Sequence, residues 1–174
     1  MNKTPVVPLG QTSSNGRKYG ALPDKQDTRD KLVKQIAGRP KPLPSHVDLS
    51  HLLGPVRDQG DLGACTGFAY AGIREFIFNK YDERLQLKIL SPLYIYYKER
   101  ELEGTIDQDA GAEPRDGCRV LFNFGVCLEA EDVYQPTNFA AKPTSEMESE
   151  AAACLLYTSP SPRDTERSRM PSSA

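Results

Sequence analysis

Cys65 and Gln59 are the residues of this chain whose types and spacing suit a reaction. Cys65 lies where a polar loop, Gly54-Pro55-Val56-Arg57-Asp58-Gln59-Gly60-Asp61-Leu62-Gly63-Ala64, gives way to an apolar run. A thiol at a helix N-terminus faces unpaired N–H groups and the positive end of the helix dipole. Both favour the nucleophilic thiolate. Gln59 stands six residues upstream, across a turn that Gly60 and Gly63 permit. Its amide can donate to an oxyanion beside the backbone N–H of Cys65, and one such donor is worth roughly 3 kcal/mol in acyl transfer. The chemistry this pair suits is attack of a thiolate on a carbonyl.

Three helices must position these groups. From Cys65 to Asn79, residues Phe68, Ala69, Gly72, Ile73, Phe76 and Ile77 recur at helical spacing and predict a wide, largely buried apolar face. After a polar connection tipped by Asp82-Glu83-Arg84, Ser91 and Pro92 supply an N-cap and a first helical residue. Leu93, Tyr94, Tyr96 and Tyr97 follow as packing residues, then Lys98-Glu99-Arg100-Glu101 as a solvated end, with Gly104 as the stop. A third helix is expected from Glu113-Pro114 to about Phe124, with Gly117, Val120, Leu121 and Phe124 on one face and Gly125 ending it. Cys118 is expected near that packed face as a core thiol.

The motif Gln59-Gly60-x-x-Gly63-x-Cys65 at the head of a long apolar helix resembles the papain family of cysteine peptidases. The Pro55-Val56-Arg57-Asp58-Gln59-Gly60 lead resembles its bacterial, protist and viral branch. Val47-Asp48-Leu49, Leu90-Ser91-Pro92-Leu93-Tyr94 and Gly125-Val126-x-x-Glu129 resemble further segments of that family. Two positions depart from it: Thr66 stands where an aromatic residue is usual, and Leu62 where a disulfide cysteine is usual. The resemblance implies an α+β, papain-like fold, with Cys65 as nucleophile and Gln59 in the oxyanion hole. It also implies that the loop Thr105 to Ala112 offers backbone groups to an extended substrate, with Gly111 as the substrate-binding residue. The matched part is the helical lobe; the β-rich lobe that should carry a histidine base and an orienting asparagine is expected to be largely missing. His46 and His51 both precede Cys65, so the chain by itself is expected to be inactive.

Charge is nearly balanced, at −2 over 174 residues, which gives no nucleic-acid footprint. The four cysteines show neither metal spacing nor a disulfide framework, and the N-terminus has no signal-peptide run. No metal, cofactor or membrane span is expected, and a reducing, cytoplasmic setting is. Residues 1–44 read as a leader. It is disordered through Leu22, then carries a short helix capped by Asp27 or Thr28 with Leu32, Val33 and Ile36, and ends in the Pro-rich connector Arg39-Pro40-Lys41-Pro42-Leu43-Pro44. Residues 45–153 read as the truncated peptidase domain. From Cys154 to Ala174 composition shifts to Ser, Pro and Arg, and this tail resembles a translated sequencing adaptor, foreign to the fold. The expected function is hydrolysis of peptide bonds in a peptide or protein substrate. The rival is a noncatalytic papain-like module that binds peptides or inhibits a related peptidase.

Overall fold

A computed structural model describes residues 18–32, 35, 42, 44–81 and 88–154. Expectations for residues 1–17, for Val33 and Ile36, for most of the Pro-rich connector, for the Asp82–Arg84 tip and for residues 155–174 lie outside them. Among the described residues are four α-helices: α1 (Cys65–Tyr81), α2 (Pro92–Glu103), α3 (Pro114–Asn123) and α4 (Ser145–Ala153). Short 3-10 turns cover Ser50–Leu52 and Pro136–Asn138. Their β pairing includes two isolated bridges, Ala21 with Ala112 and Leu90 with Leu128. The β part of the expected α+β class is therefore not represented there.

Local chemistry sets the helix ends. Ser91 accepts the Tyr94 N–H at 3.0 Å, Pro92 opens α2, and Gly104 closes it in the left-handed region at φ 73°. Gly125, at φ 78°, follows α3, and its N–H returns to Val120 O. Thr144 caps α4, its hydroxyl accepting the Met147 N–H at 3.3 Å.

Helices α1, α2 and α3 close on one core. Ala71 and Phe78 of α1, Tyr94 and Ile95 of α2, and Val120 and Leu121 of α3 meet Leu90, Val126, Cys127 and Ala151 there. Burial pushes the Cys127 thiol up to about 12, which leaves it an inert packing group. Gly67 lets α1 approach α2 closely, because a Cβ there would collide with the Pro92 carbonyl and lie 3.2 Å from the Tyr96 Cβ. A second, smaller cluster of Leu62, Ala64, Leu93, Tyr96 and Ala112 joins the loop before Cys65 to α2 and to the loop before α3.

Several expectations need correction. The buried face of α1 is Gly67, Ala71, Arg74, Glu75 and Phe78, not the purely apolar stripe. Ile73, on that stripe, is 51% exposed. The α1 charges can turn inward because partners meet them: Arg57 pairs with Glu75, and the Arg74 guanidinium lies 4.1 Å over the Phe78 ring. The end of α2 is not solvated either. Glu99 and Arg100 are fully buried, and Lys98 bonds Glu101 and Glu148 at 2.9 and 2.7 Å. Cys118 is exposed rather than in the core. Asp27 closes a turn by accepting the Arg29 N–H at 2.9 Å, and residues 30–32 are not helical. Residues 18–22 are ordered against the domain: Leu22 N–H reaches Ala112 O at 2.9 Å and Ala112 N–H reaches Gly20 O at 2.7 Å.

Candidate active site

Cys65 is the first residue of α1 and is half-buried. Ala64 before it and Thr66 after it are buried, so the helix start is fixed on both sides of the thiol. The Thr66 hydroxyl donates to Glu99 Oε2 at 2.7 Å. Burial raises the Glu99 carboxyl to about 8, and the nearby Glu103 and Asp116 push the same way against the Thr66 hydrogen bond.

The loop leading to Cys65 is held from three directions. Gly60 turns it at φ 62°, in the left-handed region, and its N–H donates to Asp58 Oδ1 at 3.0 Å. Arg57 donates to Glu75 Oε1 and Glu129 Oε2, each at 2.8 Å, and to Leu90 O at 2.9 Å. Burial raises the Glu75 carboxyl despite this partner. Tyr134 donates to the main-chain oxygen of Gln59 at 2.8 Å and sets its ring edge-on to Phe68, 4.7 Å between centroids.

Gln59 presents its amide nitrogen to two carbonyl oxygens: Leu62 O at 2.9 Å and Lys18 O at 3.0 Å. One bond braces the loop three residues before Cys65. The other holds a carbonyl that belongs to the leader.

Gly111 has the left-handed φ of 79° that its loop position requires. Its N–H is not open to a ligand, because it donates to the Tyr96 hydroxyl at 3.1 Å. The neighbouring Ala112 makes the backbone pairing instead, with Gly20 and Leu22. Asp109 is the hub of this loop. It accepts the Gly63 N–H at 3.0 Å, the Tyr96 hydroxyl at 2.6 Å and the Lys18 ammonium at 2.7 Å. Burial works to raise its carboxyl, but Lys18, Tyr96 and Gly63 outweigh it and hold the group below its ordinary value. Arg100 fixes the same loop from beneath, donating to Ile106 O, Gln108 O, Tyr96 O and Phe139 O.

The sequence reading thus named Cys65, Gln59 and the loop ending at Ala112, with Gly111 as its key residue, but did not foresee the contacts of Lys18, Tyr96, Glu99 and Asp109. The pattern carried a signal for one of them: Thr66 replaces an aromatic residue beside the thiol, and a hydroxyl there needs a partner. His46 and His51 are exposed, on the segment around the Ser50–Leu52 turn. Among the described residues no three His, Cys, Asp or Glu side chains gather to hold a metal ion, and no helix is long and apolar enough to cross a membrane.

No family model matches the chain. An uncharacterized peptidase C1-like protein of Acanthamoeba polyphaga mimivirus is 36% identical over 157 residues, covering 80% of this chain and 50% of that protein. The crystal structure of xylellain, a cysteine protease from Xylella fastidiosa, superposes with a TM-score of 0.67 at 31% identity, covering 87% of this chain and 59% of that one. The chain spans about half the length of the curated relative it matches. The shared fold and 31–36% identity over 80% or more of the chain show its similarity to the papain-like cysteine peptidases.

Proposed function

We propose that the whole protein hydrolyses peptide bonds, with Cys65 as nucleophile and Gln59 as the side-chain donor to the oxyanion. The thiolate sulfur bonds to the carbonyl carbon, and the carbonyl electrons move to oxygen, where Gln59 and the Cys65 N–H receive them. Collapse breaks the C–N bond, and the amine leaves with a proton. Water then cleaves the thioester, giving the carboxylic acid and restoring the thiol. In this reading residues 45–153 are the nucleophile-bearing helical half of a two-lobed domain and residues 1–44 its leader; Cys154, read from the sequence as the start of a foreign tail, instead caps α4 and packs against the core. A histidine base and its asparagine belong to the other, β-rich lobe, which the half-length match to the mimivirus protein supports. The chain alone is then inactive. Cys65, Cys118, Cys127 and Cys154 are all free thiols, which suits the reducing cytoplasm.

The observation that carries the reading is the Gln59 amide holding a peptide carbonyl oxygen, Lys18 O, at 3.0 Å in the loop that ends at Cys65. The test is to treat the full-length protein with a peptidyl epoxide and locate the adduct by mass spectrometry. Alkylation of Cys65, and peptide cleavage slowed about 100-fold or more by Gln59→Ala, are expected. Intact peptides together with an unmodified Cys65 would leave the noncatalytic peptide-binding module as the better reading.

A further inference from the structure

We propose that Asp109 is a positioning residue for the oxyanion donor: acting through the Leu62–Gly63 peptide unit, it sets where the Gln59 amide points. The inference deepens the proposed function and rests on it for the role of Gln59, while the bracing stands on the contacts alone.

The Leu62–Gly63 peptide is held at both ends. Its carbonyl oxygen accepts a hydrogen of Gln59 Nε2 at 2.9 Å, and its N–H donates to the Asp109 carboxylate, at 3.0 Å to Oδ1 and 3.2 Å to Oδ2. A peptide unit is planar, so fixing the direction of its N–H fixes the direction of its carbonyl. An anion on the N–H also polarises the unit and makes its oxygen a better acceptor. The Gln59 amide has two hydrogens. The one committed to Leu62 O dictates the line of the other, which lies on Lys18 O at 3.0 Å. The main-chain oxygen of Gln59 is held separately, by the Tyr134 hydroxyl at 2.8 Å. Asp109 and Tyr134 thus fix Gln59 from its two ends.

Asp109 is itself placed firmly enough to serve as a reference. The hydroxyl of Tyr96, a fully buried residue of α2, donates to Oδ1 at 2.6 Å, and Arg100 holds the nearby carbonyls of Ile106 and Gln108. Gly63 leaves the carboxylate room to approach, because a Cβ there would lie 2.9 Å from Asp109 Oδ1. The two carboxylate oxygens divide the work. Gly63 N–H and Tyr96 O–H converge on Oδ1, whereas the Lys18 ammonium takes Oδ2 at 2.7 Å. Bracing Gln59 and seating the leader are therefore separable, since asparagine keeps the first oxygen and replaces the second.

The test uses the full-length protein and a fluorogenic dipeptidyl coumarin amide. Asp109→Ala removes both oxygens. Asp109→Asn keeps the acceptor for Gly63 and Tyr96 and gives up the charge that meets Lys18, so it controls for release of the leader. Relative to Asp109→Asn, Asp109→Ala is expected to lower kcat and kcat/KM together by about tenfold, the pattern of an interaction made in the transition state. In a Gln59→Ala background the same two variants are expected to differ by less than about twofold, because the residue they act through is gone. Hydrogen exchange of the Gln59 side-chain amide, read by NMR, needs no turnover and is expected to be at least about tenfold faster in Asp109→Ala than in Asp109→Asn. Asp109→Leu replaces the alanine variant should that one not fold. An equal loss in both Gln59 backgrounds, exchange that does not distinguish the variants, or failure of both Asp109→Ala and Asp109→Leu to fold where Asp109→Asn folds would each overturn the inference. A protein that cleaves no peptide yet shows the exchange difference keeps Asp109 as the brace of Gln59 and removes the peptidase. Cleavage without the exchange difference does the reverse.

Discussion

The hydroxyl of Thr66, next to the candidate nucleophile, donates to Glu99 Oε2 across 2.7 Å, so the start of α1 is tied to a carboxyl buried in α2. Glu99 Oε1 has no hydrogen-bond donor among the described residues, and the group is held at about 8 by burial. A carboxyl in that state is neutral at pH 7, and it serves Thr66 as an acceptor without placing a charge beside the thiol.

Stability should therefore fall as pH rises. The folded value of about 8 lies above the ordinary 4.5, so the contribution of Glu99 is fully present below 4.5 and is lost as pH rises through 8. Each unit in that window removes up to about 1.4 kcal/mol. Glu75, Glu103 and Asp132, also raised by burial, act in the same direction. Glu99→Gln keeps an acceptor for Thr66 and cannot ionise. Urea midpoints measured across the window should decline less steeply in this variant than in the parent. Superimposable profiles would show that Glu99 is not the titrating group.

Arg57→Ala should be among the most damaging single changes in the loop before Cys65. It strips the cation from Glu75, whose side chain is 3% exposed and also accepts the Leu90 N–H at 2.9 Å. Breaking a buried pair from one side costs about 3–5 kcal/mol, a large share of a small domain's stability. Arg57→Ala/Glu75→Gln should recover part of the loss in a denaturant titration. No recovery would mean that the packing of the arginine stem, not its charge, is what counts.

Two glycines of α1 should respond with opposite signs. Gly67→Ala drives a Cβ into the Pro92 carbonyl, and overpacking of this kind costs about 1–3 kcal/mol. Gly72 has nothing within 4 Å of a built Cβ, so Gly72→Ala should gain up to about 1 kcal/mol from helix propensity. Thermal midpoints of the two variants should move in opposite directions. A shared direction would contradict the α1–α2 crossing described above.

Gly20→Ala should free the leader while leaving the helices intact. Its Cβ cannot fit against the Gly63 carbonyl, and the bonds from Ala112 N–H to Gly20 O and from Leu22 N–H to Ala112 O would be lost with it. Amide exchange at Ala112 and Leu22 should accelerate by at least tenfold, with α2 protected as before. Unchanged exchange at both amides would refute the seating.

Much of this architecture is written locally. The start of α1 at Cys65, the Ser91 cap, the Pro92 opening and the Gly104 and Gly125 stops depend on residues within a turn of the feature they control, and each was legible. What could not be read depends on distant partners. Lys98-Glu99-Arg100 looks like a solvated run because its partners, Glu148, Thr66 and the carbonyls of Ile106, Gln108 and Phe139, are scattered through the chain. The inward face of α1 was misread because Glu75 and Arg74 carry it, and their burial follows from Arg57 and Phe78 rather than from any periodicity. Lys18 sits in a polar leader without pattern, and only its 91-residue separation from Asp109, closed in space, reveals its place.

The hydrogen bonds of Arg100 all go to main chain: the four oxygens it reaches, on Tyr96, Ile106, Gln108 and Phe139, are backbone carbonyls, while its guanidinium lies over the Tyr96 and Phe139 rings. Its grip is blind to which side chains the 105–109 loop displays. Residues there can be exchanged by mutation without loosening the clamp that sets the loop's path. Side chains at 105–108 can therefore change while the loop keeps its path, whereas the acid at 109 is tied to Gly63, Tyr96 and Lys18 and cannot change without releasing a partner.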